Sequence, residues 1–136
     1  MNKQVLWIDE EQGDLSSVAW TISRTGARVF AALSVAEARD AMHAGEWDAI
    51  ILDAIVRRGG AADATDRYSG LAVWEAMTET QRDRTLVLSV VPQGRVCDRF
   101  KIPLSRVYWK LNLDAMLPQF EEHLRSIIEG HETVTP

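Results

Sequence analysis

The sequence predicts an α/β fold, a doubly wound parallel sheet of five strands with helices on both faces. Three observations carry this. Short runs rich in Val, Ile and Leu recur five times, at 4–8, 27–33, 49–52, 85–90 and 106–110, and the intervals between them show helical spacing. The middle run, Ala49-Ile50-Ile51-Leu52, is apolar throughout, too short for a membrane span and suited to a strand buried on both faces. Acids close the first and third runs, as Asp9-Glu10-Glu11 and as Asp53. An unpaired buried charge is costly to desolvate, so an acid there makes sense where strand ends form a ligand crevice. On this stretch alone a plainer reading also stands, with Asp53 capping the next turn or helix.

Gln4-Val5-Leu6-Trp7-Ile8 is the first strand. Leu15, Val18, Ala19 and Ile22 then recur at helical spacing, and Gly26 offers a stop. After the second strand, Ser34-Val35-Ala36-Glu37 is a capping box opening a helix through Met42, which Gly45 ends. A loop is predicted over 57–68. The third helix runs from Ser69 or Gly70 through Thr80, carrying Leu71, Val73, Trp74 and Met77. Residues 92–103 are bounded by prolines, contain Gly94 and have few apolar positions, which predicts a short or distorted helix. The last helix spans 113–129, with Pro118 in its first turn or at a bend. The domain is therefore drawn as 1–130, with a C-terminal tail at 131–136.

A chain of 136 residues suffices for one domain, burying roughly two-thirds of its unfolded surface. The net charge of -5 argues against nucleic-acid binding through a broad basic face. Cys97 is the only cysteine, which excludes an intrachain disulfide and a cysteine-based metal cluster and fits a reducing cytosol. No apolar run approaches membrane-spanning length, and the N-terminal MNKQVLWIDEE runs straight into acids. Neither a signal peptide nor a transmembrane helix is expected, and the predicted location is cytoplasmic.

Five repeats of strand and helix imply right-handed crossovers. In the flavodoxin-like order 2-1-3-4-5 the first and third strands are neighbours, with a crevice at their carboxyl ends. Asp9-Glu10 and Asp53 then converge on one spot. Gathered carboxylates repel one another unless a cation sits between them, and a few oxygen ligands on a rigid scaffold suit Mg2+. Ser89 closes the fourth strand with a hydroxyl, and Lys110 closes the fifth with a mobile point charge suited to a phosphoryl oxygen. Such a set is a site for phosphoryl transfer to a carboxylate.

The chain resembles the receiver domain of two-component response regulators, of the chemotaxis-regulator kind, over nearly its whole length. VLWIDEE is similar to the family's first strand and acidic pair, IILDAIV to its phosphoacceptor strand, LVLSVV to its hydroxyl strand and VYWKL to its lysine strand. The resemblance implies a single-domain response regulator whose Asp53 accepts a phosphoryl group from a sensor histidine kinase or phosphotransfer protein. It implies that Asp9, Glu10 and Asp53 hold Mg2+ with the Ile55 carbonyl, and that Ser89 and Lys110 contact the phosphoryl oxygens. Ile55 and Val91 would flank the approach of water. Both are apolar and unable to orient it, so slow loss of the phosphoryl group is implied. Val107 and Tyr108 fall in the switch region. No segment remains for an output domain, so output would be contact with a downstream protein through the fourth helix, fifth strand and fifth helix. Neither nucleic acid nor membrane is an expected partner. The chain would be a phosphoacceptor that assists its own phosphorylation and dephosphorylation, not an enzyme with a separate substrate.

Several positions depart from the family pattern. Val56-Arg57-Arg58-Gly59-Gly60 lacks the usual proline, and Gly70 lies seventeen residues beyond Asp53. Val90 replaces a tiny residue, Val107 replaces the switch aromatic, and Leu111 replaces the proline after the lysine. A second reading is therefore a receiver-like adaptor working without phosphorylation. A third is a small enzyme of flavodoxin-like fold binding a nucleotide or flavin, although no glycine-rich phosphate loop follows the first strand. Plainer roles exist for single residues. Asp9, Glu10 and Glu11 could complement a helix dipole, and Lys110 could be an ordinary solvated lysine. Trp7, Trp20, Trp47 and Trp74 read as core or edge packing, and His43, His123 and His131 as surface residues. Arg57 and Arg58 read as a solvated loop, with a phosphate contact left open.

Overall fold

Strands β1 (Gln4–Ile8), β2 (Arg28–Ala32), β3 (Ala49–Asp53), β4 (Thr85–Ser89) and β5 (Val107–Trp109) alternate along the chain with α-helices. These are α1 (Ser16–Arg24), α2 (Val35–Ala44), α3 (Gly70–Ala76), α4 (Glu79–Asp83), α5 (Gln93–Phe100) and α6 (Leu113–Ile128). The structure is a computed structural model that describes residues 3–9, 16–54, 70–90 and 93–130. All five strands are parallel, in the order β2-β1-β3-β4-β5. This is the flavodoxin-like arrangement expected from the sequence.

The period-two alternation of a strand divides the core in two. Ile50 and Leu52 of β3 pack with Val35, Ala38, Val73, Trp74, Val96 and Phe100, beneath α2, α3 and α5. Ala49 and Ile51 face the other way, against Val18 and Ile22 of α1 and Phe120 and Leu124 of α6. All five residues of β3 are buried, the apolar run 49–52 and Asp53 that closes it. The outer strand β2 is different: Val29 and Phe30 stay substantially exposed because nothing among the described residues pairs with its far edge.

Gly26 takes φ +80, the left-handed turn that ends α1. Ser34 accepts from the Glu37 amide at 3.1 Å, while the Glu37 carboxylate accepts from Leu33 rather than from Ser34 itself, at 3.4 Å. The short helix expected over 92–103 is α5, whose Val96 and Phe100, one turn apart, form its buried side. β5 ends at Trp109, one residue earlier than predicted, and Lys110 opens a 3₁₀ turn.

The single third helix predicted to Thr80 is in fact two. Thr78 is an N-cap in extended backbone, and its side chain accepts from the Gln81 amide while the Gln81 side chain accepts from the Thr78 amide. That reciprocal capping box starts α4 and stops α3. Arg82 then donates to the Trp74 and Glu75 carbonyls at 3.0 and 3.2 Å, satisfying the last turn of α3. Pro118 lies in the second turn of α6, not the first, where it cannot donate to the carbonyl four residues back.

Two single-residue expectations are also corrected. Trp7, Trp47 and Trp74 are buried, but Trp20 is 57% exposed on the outer face of α1, with the Arg24 guanidinium 4.8 Å from its ring centre. His43 is exposed, whereas His123 is half-buried, its Nδ1 3.3 Å from the Tyr108 hydroxyl. His131, the 57–68 loop and the 131–136 tail lie outside the described residues. No described helix is long and apolar enough to cross a membrane.

The split third crossover rests on one cap, so Thr78→Ala is expected to destabilise the protein by about 1 kcal/mol. Urea unfolding measures this as a lower midpoint at unchanged slope. A shift under a few tenths of a kcal/mol would mean that Arg82, not the cap, holds α4.

Candidate functional site

The register of β1 on β3 runs from Val5–Ala49 to Ile8–Leu52, so the next residues, Asp9 and Asp53, come level at the carboxyl edge. Asp9 is fixed there by its amide, which donates to the Ala32 carbonyl of β2 at 3.0 Å. Both acids are buried, Asp9 at 0% and Asp53 at 3% exposure. Lys110, starting beyond the end of β5, extends past β4 and sets its Nζ 3.0 Å from Asp9 Oδ2 and 3.0 Å from Asp53 Oδ2. Burial alone would push the ammonium below the usual lysine range. The charges of Asp53 and Asp9, and the hydrogen bonds the ammonium donates to both, outweigh that and raise it. Ser89 is fully buried at the end of β4, the strand that Lys110 crosses.

Asp9, Asp53 and Lys110 are thus brought into direct contact, with Ser89 closing the strand between β3 and β5. Glu10, Ile55 and Val91 lie outside the described residues. Val107 and Tyr108 are buried away from the crevice. Val107 enters the core beneath α5, and the Tyr108 ring packs edge-on against Phe120, with centroids 5.1 Å apart. The parity of β5 sends them to opposite sides of the sheet.

One residue read in the sequence as a helix start and a displaced family glycine belongs to the site's frame. The Gly70 amide donates to the Ala54 carbonyl at 2.9 Å, and a Cβ at Gly70 would lie 2.2 Å from the Asp53 carbonyl oxygen. Only glycine permits α3 to begin against the backbone that carries Asp53. The available signal was a glycine directly ahead of the apolar spacing Leu71, Val73, Trp74.

Among the described residues no three His, Cys, Asp or Glu side chains gather as a metal cluster. The Asp9–Asp53 pair nevertheless suits a hard divalent cation: two buried carboxylates meet at one strand edge and supply hard oxygen donors. Asp9 and Asp53 are the described residues that would hold such an ion.

No protein-family model matches the chain, and no curated protein matches it. Solved structures do. A response regulator from Burkholderia pseudomallei, with a phosphorylated aspartic acid, a calcium ion and citrate, is 21% identical, with a TM-score of 0.68 over 97% of this chain and 72% of that one. The receiver domain of a Francisella response regulator matches at TM-score 0.70 and 13% identity, over 96% of this chain and 99% of that one. The fold is that of a response-regulator receiver domain. The Thermotoga maritima response regulator TrrA, in complex with Mg2+-BeF, is 21% identical at TM-score 0.61, over 90% of this chain and 99% of that one. At these identities the likeness is one of receiver fold.

Lys110→Met would take the ammonium away from two buried carboxylates and is expected to cost about 3 kcal/mol. Because the folded protein holds the ammonium above its ordinary value, its contribution is complete at neutral pH. It fades as pH rises through the raised value. The wild-type protein should therefore lose stability at high alkaline pH along a limb that Lys110→Met lacks, as unfolding midpoints across pH would show. Gly70→Ala should cost about 3 kcal/mol through forced displacement of α3. A near-neutral Gly70→Ala would mean that α3 shifts freely away from β3.

Proposed function

We propose that the chain is a phosphoacceptor response regulator, with Asp53 taking a phosphoryl group from a histidine kinase or phosphotransfer protein. The single observation that carries this is the Lys110 ammonium bonded to two buried carboxylates at the crevice of a 2-1-3-4-5 sheet. An Asp53 carboxylate oxygen forms the new P–O bond while the P–N bond of the phosphohistidine breaks, and the imidazole leaves with the electron pair. Lys110 offers its charge to a phosphoryl oxygen, and Ser89 offers a hydroxyl. Mg2+, when bound, neutralises charge at the reacting group; Asp9 and Asp53 would hold it, with Glu10 and the Ile55 carbonyl proposed beside them. Ile55 and Val91 are proposed to leave an attacking water unoriented. Output is proposed as protein contact through α5, β5 and α6, with Val107 and Tyr108 in the switch region and the cytoplasm as the site of action.

A second reading, the adaptor that is never phosphorylated, draws on the 3% exposure of Asp53, which leaves a donor little access. Intact mass after incubation with Mg2+ and a small phosphodonor separates the two. Wild-type protein should gain one phosphoryl mass and Asp53→Asn none. Equal labelling of both would move the acceptor elsewhere, and unlabelled wild type, even with a cognate kinase, would favour the adaptor. In the same system Asp9→Ala should weaken Mg2+ binding well beyond Glu11→Ala, as followed by tryptophan fluorescence from Trp7. Indistinguishable titrations would remove Asp9 from the metal site.

A further inference from the structure

We propose that Trp109 is the positioning residue for Ser89, holding the hydroxyl side of the site in register with Lys110. The inference rests on the phosphoacceptor reading and assigns to it a residue that the four matching motifs leave without a role.

In the β4–β5 pair, Val87 lies opposite Val107 and Ser89 opposite Trp109. Val87 and Val107 both enter the core beneath α5. Two residues further along each strand, Ser89 and Trp109 continue on that same side and are cross-strand neighbours. β4 ends at Ser89, and the chain bends at Val90, which is 45% exposed. There the Trp109 indole N–H donates to the Val90 carbonyl at 3.1 Å. The Gln93 amide, at the start of α5, donates to the Val107 carbonyl. The corner that follows Ser89 is thus tied to β5 by two side-chain bonds in addition to the strand ladder.

Trp109 is also the residue before Lys110. One strand end therefore delivers the ammonium to the acids and grips the backbone next to the hydroxyl. Tyr108 has no part in this: its ring packs on Phe120 and its hydroxyl meets His123, on the opposite side of the sheet. The indole bond lies at the surface, where water competes for the carbonyl, so its effect is on orientation more than on stability.

Trp109→Phe keeps an aromatic ring at the strand end and removes the five-membered ring that carries the N–H. With Mg2+ and acetyl phosphate as the probe, labelling of Asp53 should slow roughly threefold to tenfold, the scale of one hydrogen bond. Mg2+ affinity should stay unchanged, because the ion is assigned to the acids. Against a Ser89→Ala background the same substitution should cause no further loss, since its effect runs through the hydroxyl. Equal labelling rates for wild type and Trp109→Phe would overturn the inference. So would the same fractional loss in the Ser89→Ala background, or a parallel fall in Mg2+ affinity. Normal wild-type labelling combined with any of these results removes this inference alone. A wild type that never labels removes the phosphoacceptor reading and this inference with it.

Discussion

The bridge from Lys110 to Asp9 and Asp53 joins three segments that are distant in sequence and adjacent only because the sheet runs β2-β1-β3-β4-β5. Bringing buried carboxylates and an ammonium together is costly to desolvate, and a cluster built for stability alone would be apolar. It is tolerated because the rest of the sheet is packed so completely. Every residue of β3 and β4 is buried, which fixes the strand ends and hence the spacing of the charges.

The two faces of the sheet contribute differently to that rigidity. α1 and α6 are joined across their surface by Arg24, Glu121 and Arg125: Arg24 Nε lies 2.7 Å from Glu121, and Arg125 reaches the Arg24 carbonyl at 2.7 Å. The Glu121 carboxyl is held below the usual range, chiefly by its hydrogen bond from Arg24. On the other face α2 runs ten residues, while α3, α4 and α5 have only seven, five and eight, with the Thr78 cap separating α3 from α4. Short helices with small buried sides open at lower free energy than long ones.

The strands were legible because burial on both faces leaves unbroken apolar runs, and the order of the sheet followed from the acids that close two of them. Asp9, Asp53, Ser89 and Lys110 could be picked out for the same reason: polar residues where an apolar run stops. The break after Ala76 was obscured because Met77 keeps the apolar spacing while Thr78 takes extended backbone. The Thr78–Gln81 box was present in the sequence but lay inside an apparently continuous pattern. Trp20 and His123 were misplaced because residue type alone fixes neither exposure nor partners. Arg24 explains the first and Tyr108 the second. Gly70 was read as local punctuation, since a close backbone approach between distant segments leaves no periodic trace.

The hydrogen bond from the Gly70 amide to the Ala54 carbonyl means that the chain leaves the sheet edge and comes back to the same place. Whatever lies between those anchors is, thermodynamically, a closed ring on a fixed clasp. The entropy of closing such a ring rises only with the logarithm of its length, about 0.6 kcal/mol for each doubling. The clasp therefore sets the distance between the two anchors whatever length of chain joins them.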